Sequence, residues 1–167
     1  MRHVIVAPPT IDIRAQVAEL VKKTGSTLLA DPSRGACERY GYQTLYEMPV
    51  ALQKSTRTKL ITDHVASLRS HKAVVADHSV FIWLADWMRW LWGETPSEEW
   101  EAVLALAGQA VPLYDRIEHV TAGPAAGYDG YHWLDQRNGA QIERLIRHLY
   151  VDFGCLERVS GLERGRS

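Results

Sequence analysis

The chain has 167 residues, 46% of them apolar and 23% charged, which suits one packed globular core and excludes a wholly disordered chain. Its formal net charge of -1 gives no overall attraction to nucleic-acid phosphates or anionic lipid. The longest apolar run, Val80 to Trp92, is interrupted by Asp86 and Arg89, so no segment offers the roughly 20 apolar residues of a membrane span.

The amino terminus runs directly into a strand-like segment with no secretory leader, which makes a cytoplasmic location the expectation. His3 to Ala7 is short, apolar and rich in β-branched residues, and Pro8-Pro9 closes it, so it reads as a buried strand followed by a turn. Ile13, Val17, Leu20 and Val21 then recur at helical spacing, and Lys22, Lys23 and Gly25 supply a cationic last turn and a stop. Ser26 to Ala30, ending at Asp31-Pro32, and Lys72 to Ala76, ending at Asp77-His78, are two further strand candidates. Their apolarity is continuous rather than alternating, as in strands covered on both faces.

Between these strands, Leu45 to Ser70 reads as helical, with Leu52, Leu60, Ile61, Val65 and Leu68 forming an apolar stripe. Lys54, Arg57 and Lys59 read as its solvated face. Val80 to Trp92 and Ser97 to Val111 are two more helices, the latter opened by Ser97, Glu98 and Glu99. Ile117 to Thr121 is a fourth strand, and a Gly- and Tyr-rich loop from Ala122 to Tyr131 follows it. Gln141 to Phe153 is a helix carrying Ile142, Leu145, Ile146 and Leu149 on one face, and Cys155 to Val159 is a fifth strand. Strands that alternate with helices predict a single α/β domain over 1–161, a mostly parallel five-stranded sheet with helices on both faces. Residues 162–167 read as a flexible tail. Cys37 and Cys155 stand apart from each other and from any Cys/His cluster, so neither a disulfide framework nor a metal site is expected.

Taken in order, several segments resemble the P-loop nucleoside and nucleotide kinase superfamily, across nearly the whole chain. They are the strand before Pro8, Asp31-Pro32-Ser33-Arg34, Ala76-Asp77-His78-Ser79, and the Tyr128-Asp129-Gly130-Tyr131 loop before a last helix. The thymidylate-kinase-like and nicotinamide-riboside-kinase-like branches are the most similar. The resemblance implies that Asp31 and Arg34 meet an acceptor nucleoside or nucleoside monophosphate, with His78 and Asp129 nearby. It implies that Asp77 positions magnesium or activates the acceptor, and that Arg137 in a lid stabilises the transferring phosphoryl group. The plainer readings are a capping Asp31 and a surface Arg34, Asp77 as the N-cap of the Val80 helix, and Arg137 paired with Asp135 or Glu143.

The chain departs from the family at its first loop. The G-x-x-x-x-G-K-[ST] pattern falls on Ala7 to Arg14, where Asp12 stands at the second glycine and Ile13 at the lysine. ATP binding there is expected to be poor, although Arg14 adds a cation and the following helix N-terminus could still attract a weak anion. Trp83, Trp87 and Trp90 recur at i, i+4 and i+7, which reads as core or as the interface of a homodimer or a complex with a homologous kinase.

The expectation is therefore a catalytically impaired nucleotide-kinase-like protein that binds a nucleotide-like ligand or a partner protein. The alternatives are a working phosphotransferase on a nucleoside, nucleotide or modified DNA base, using magnesium and ATP with Arg14 and Arg137, or a structural subunit of a larger assembly.

Overall fold

A computed structural model describes residues 1–127 and 135–162. Five strands form one parallel sheet: β1 (Arg2–Val6), β2 (Thr27–Leu29), β3 (Val74–Ala76), β4 (Arg116–His119) and β5 (Val159–Ser160). Their order across the sheet is β2-β3-β1-β4-β5, which puts the first strand at the centre. The helices are α1 (Arg14–Thr24), α2 (Ser33–Tyr40), α3 (Val50–Ser70), α4 (Val80–Trp90), α5 (Ser97–Gly108) and α6 (Gln136–Asp152).

The continuous apolarity of β1 and β3 has the expected cause, since each of these strands is covered on both faces. Val4, Val6, Val74, Ala76 and Ile117 point into the main core with residues of α3, α4, α5 and α6. Ile5 and Val75 point the other way, onto Val17, Ile13, Leu20 and Val21 of the α1 segment. β2 differs because it lies at the sheet edge, where Thr27 and Leu28 are exposed.

Several boundaries depart from the sequence reading, among them the start of α6 at Gln136 rather than Gln141 and the end of α5 at Gly108 rather than Val111. α3 begins at Val50 rather than Leu45, because Thr44 and Glu47 close a capping box around a separate short turn at Leu45–Glu47 and Pro49 follows. α2 has no counterpart in the sequence reading; it is a polar helix that buries only Ser33, Ala36 and Cys37. The last strand is Val159–Ser160 rather than Cys155–Val159, since Cys155 is buried at the end of α6 and Leu156–Arg158 form one tight turn.

Of the two readings of the tryptophan helix, core describes Trp83 and Trp87. Trp83 and Trp87 are buried because α4 lies between the sheet, α3 and α6, so these rings form core and present no interface. Trp90 is half-buried, with Tyr46 against its edge at 5.3 Å and the Arg89 guanidinium 4.5 Å from its ring centre. Arg57, expected on a solvated face, is fully buried. It donates to Asp86 at 2.6 Å and to Gln53 at 3.2 Å, while the Tyr46 hydroxyl donates to the other Asp86 oxygen at 2.8 Å. Cys37 and Cys155 are both buried thiols. No described helix is long and apolar enough to cross a membrane.

Candidate functional site

Parallel strands deliver their following loops to one edge of the sheet, the edge where open α/β folds bind ligands. Here that edge carries a cavity of about 210 Å³. Ala7, Pro8, Pro9, Ile11, Asp12, Ile13 and Arg14 from the β1–α1 connection form one side. Asp31 after β2, Asp77 after β3, Ile82 of α4, and Ala126 and Gly127 after β4 complete it. Its described lining thus holds three carboxylates and one guanidinium.

The sequence reading placed Asp31, Asp77 and Arg14 at this edge, and the fold brings them to one cavity. The other candidates stand elsewhere. His78 is buried behind Asp77, its ring 4.7 Å from that of His64 and 4.9 Å from that of Trp83. Arg34 is exposed on α2, away from the cavity lining. Arg137 is exposed in the first turn of α6, and its backbone N–H donates at 3.0 Å to Asp135, which serves as the helix cap. Glu143, its other expected partner, instead accepts from Arg147 at 2.7 Å. Asp129 lies outside the described residues, as do Tyr128, Tyr131, His132 and Trp133 and the tail beyond 162.

The Asp31 carboxylate is held by a short relay. Its Oδ1 accepts from the Ser33 backbone N–H at 2.9 Å and from the Ser33 hydroxyl at 2.6 Å. The same hydroxyl accepts from the Trp83 indole N–H at 3.1 Å. Asp31 thus holds the first N–H of α2, whose N-cap is Pro32, and lines the cavity at once. Asp77 does not cap α4, whose N-cap is Ser79; its Oδ1 instead lies 3.1 Å from His78 Nδ1.

Beneath this edge, the Tyr114 hydroxyl accepts from the Val80 backbone N–H at 3.4 Å and lies 2.8 Å from His64 Nε2. Burial and the neighbouring His78 push His64 down to about 3, in keeping with a neutral ring.

The β1–α1 connection is closed on itself and on the loop after β4. Ile11 N–H donates to Pro8 at 3.0 Å, Asp12 N–H to Pro124 at 2.9 Å, and Ala126 N–H to Thr10 at 2.9 Å. Ile11 and Ala125 form an antiparallel bridge between the two loops. The Asp12 carboxylate turns back on the start of α1 and accepts from Arg14 N–H at 3.0 Å and from the Arg14 side chain at 2.5 to 3.1 Å. These bonds from Arg14 hold Asp12 down at about 2. The Ile13 side chain adds no donor. Among the described residues, no group of three or more His, Cys, Asp or Glu side chains is placed to hold a metal ion.

No protein-family model and no curated protein sequence matches the chain. Solved structures do, among them NadR protein in complex with NAD and AMP-PNP, and NadR protein in complex with NR. They are 12% and 13% identical to this chain, each with a TM-score of 0.70, and the match covers 99% of this chain. This is a P-loop-kinase-like fold. The match covers 45% of each NadR chain, so the P-loop-kinase-like domain spans less than half the length of these neighbours. At this identity the likeness concerns the fold, and the cavity must be read from its own residues.

The sequence reading missed Ser33, Trp83, His64 and Tyr114 as supports of this edge. Ser33 and Trp83 are fifty residues apart, as are His64 and Tyr114, and each pair meets only in the folded chain.

Proposed function

We propose that this P-loop-kinase-like chain is catalytically impaired and acts by binding a nucleotide-like ligand in the cavity at the sheet edge. The observation that carries this reading is the closed β1–α1 connection. A working phosphate loop leaves its backbone N–H groups open towards phosphates and adds a lysine and a metal-binding hydroxyl. Here the N–H groups of Ile11, Asp12 and Arg14 have partners within the protein, and Ile13 and Arg14 stand at the lysine and hydroxyl positions. Asp31 and Asp77 remain on the cavity wall as acceptors for the hydroxyl and amino groups of a nucleoside.

The active-phosphotransferase alternative is less favoured, since Arg14 is held against Asp12 and Arg137 lies away from the described cavity lining. The fold neighbours hold NAD with AMP-PNP, or NR, and these molecules belong in the ligand panel.

The test is calorimetric and thermal-shift titration with NR, NAD, deoxynucleoside monophosphates, ATP and GTP, with and without magnesium. The expected result is saturable binding of a nucleoside or monophosphate, lost in Asp31→Asn and Asp77→Asn, with no response to magnesium-ATP. Stoichiometric, magnesium-dependent ATP turnover abolished in Asp77→Ala would overturn the reading. Silence across the panel would move the weight to partner assembly.

A further inference from the structure

The carboxylates of the cavity wall are not equally available. Both Asp12 oxygens are taken by Arg14, whereas Asp31 is held through one oxygen only. Its Oδ1 accepts from the Ser33 backbone N–H at 2.9 Å and from the Ser33 hydroxyl at 2.6 Å. Two donors fill the lone pairs of that oxygen, and Oδ2 accepts from none of the described residues.

The Ser33 hydroxyl is in turn fixed from behind. An indole N–H only donates and a carboxylate only accepts, so the Trp83 N–H, 3.1 Å from the Ser33 oxygen, sends the Ser33 proton to Asp31. Ser33 is 1% and Trp83 3% exposed, which keeps bulk water from replacing either bond. Trp83 cannot swing away, since its ring packs 4.9 Å from that of His78 and 5.6 Å from that of His64.

We propose that Ser33, backed by Trp83, is the positioning residue of this site: it occupies Asp31 Oδ1 and leaves Oδ2 alone to the ligand, which is met there by a hydroxyl or amino donor. The proposal rests on the ligand-binding reading above and adds to it the residue that sets how Asp31 reads a ligand. Loss of the hydroxyl removes a charge-assisted bond from Asp31 and strands the Trp83 N–H, so the carboxylate loses its alignment.

The test compares the native chain with Ser33→Ala and Ser33→Thr by calorimetry, with NR and with deoxynucleoside monophosphates. Ser33→Ala is expected to weaken binding about ten-fold, the usual order for one hydrogen bond to a charged group, and Ser33→Thr, which keeps the hydroxyl, to stay within about two-fold of native. Ile146→Val, a core change outside the described cavity lining, reports what lost stability alone does and is expected to leave affinity unchanged. Circular dichroism and melting establish that each variant folds. A second measurement needs neither ligand nor a change at Ser33. The Trp83 indole N–H resonance, assigned by its loss in Trp83→Phe, is expected to move in Asp31→Asn, because the carboxylate charge reaches it through the Ser33 hydroxyl.

Folded Ser33→Ala with native affinity, Ser33→Thr as weak as Ser33→Ala, an equal loss in Ile146→Val, or a Trp83 resonance unmoved by Asp31→Asn would each overturn the proposal. If that happens while the native chain binds one of these ligands and Asp31→Asn does not, the ligand-binding reading still stands. Silence of the native chain to all of them would overturn both.

Discussion

Arg57 shows how a charge can be made part of a core. Its guanidinium is fully buried, and Asp86 neutralises it from α4 while Gln53 and Tyr46 complete the cluster. Such a pair adds little net stability, but breaking it strands the remaining charge. Asp86→Ala is therefore expected to cost about 3–5 kcal/mol in urea denaturation, whereas exchanging both members for apolar residues of similar volume should be far milder. A cost under about 1 kcal/mol for the single change would show that water reaches Arg57. The misreading of Arg57 as solvated has the same origin: in sequence it sits between Lys54 and Lys59, and nothing local reveals a carboxylate arriving from another helix. Asp31 and Asp77 were legible because both directly follow apolar strand runs. Their supports were not, because the Trp83–Ser33–Asp31 relay joins distant segments by direction and distance rather than by pattern.

Among the elements, β1, β3 and β4 were readable as apolar runs, and α1, α4 and α5 as periodic or capped segments. α2 was not, because Arg34, Gly35, Glu38 and Arg39 give its eight residues no apolar stripe. β5 was displaced because the apolar Cys155 suggested a strand where the chain makes a turn. This last strand pairs with β4 and leaves it through a close backbone approach. Gly161 follows it with φ of +84°, and a Cβ at that position would stand 2.1 Å from the His119 carbonyl oxygen. Neither the backbone angle nor the backbone contact can be relieved by a side-chain rotation. Gly161→Ala is expected to destabilise by at least about 2 kcal/mol. Hydrogen exchange should show β5 loosening from β4 before the rest of the sheet, and an unchanged melting temperature would refute this account.

For the whole molecule, buried histidines set the acid limit. Burial lowers His64 to about 3 and His119 to about 4, in the latter case with help from the Arg147 charge. Both rings stay neutral in the folded protein while the unfolded chain protonates them below about pH 6.5. The unfolded state then binds more protons, so stability is fully present above that pH and is lost as pH falls towards 4. Each histidine is expected to contribute a slope of up to about 1.4 kcal/mol per pH unit in this range. Urea midpoints measured from pH 7 to 4 test this, and His64→Gln should remove one share of the slope. A flat profile would show that both rings accept protons in the folded state.

The strand order has a consequence for synthesis. β1 precedes both of its partners, β3 and β4, in the chain, the second of them ending at His119. Until then the apolar run from Val4 to Val6 can have a strand neighbour on one side only, β3. A nascent chain stalled before residue 116 should therefore carry its most aggregation-prone strand half-paired, and release or chaperone shielding of that stretch would govern yield.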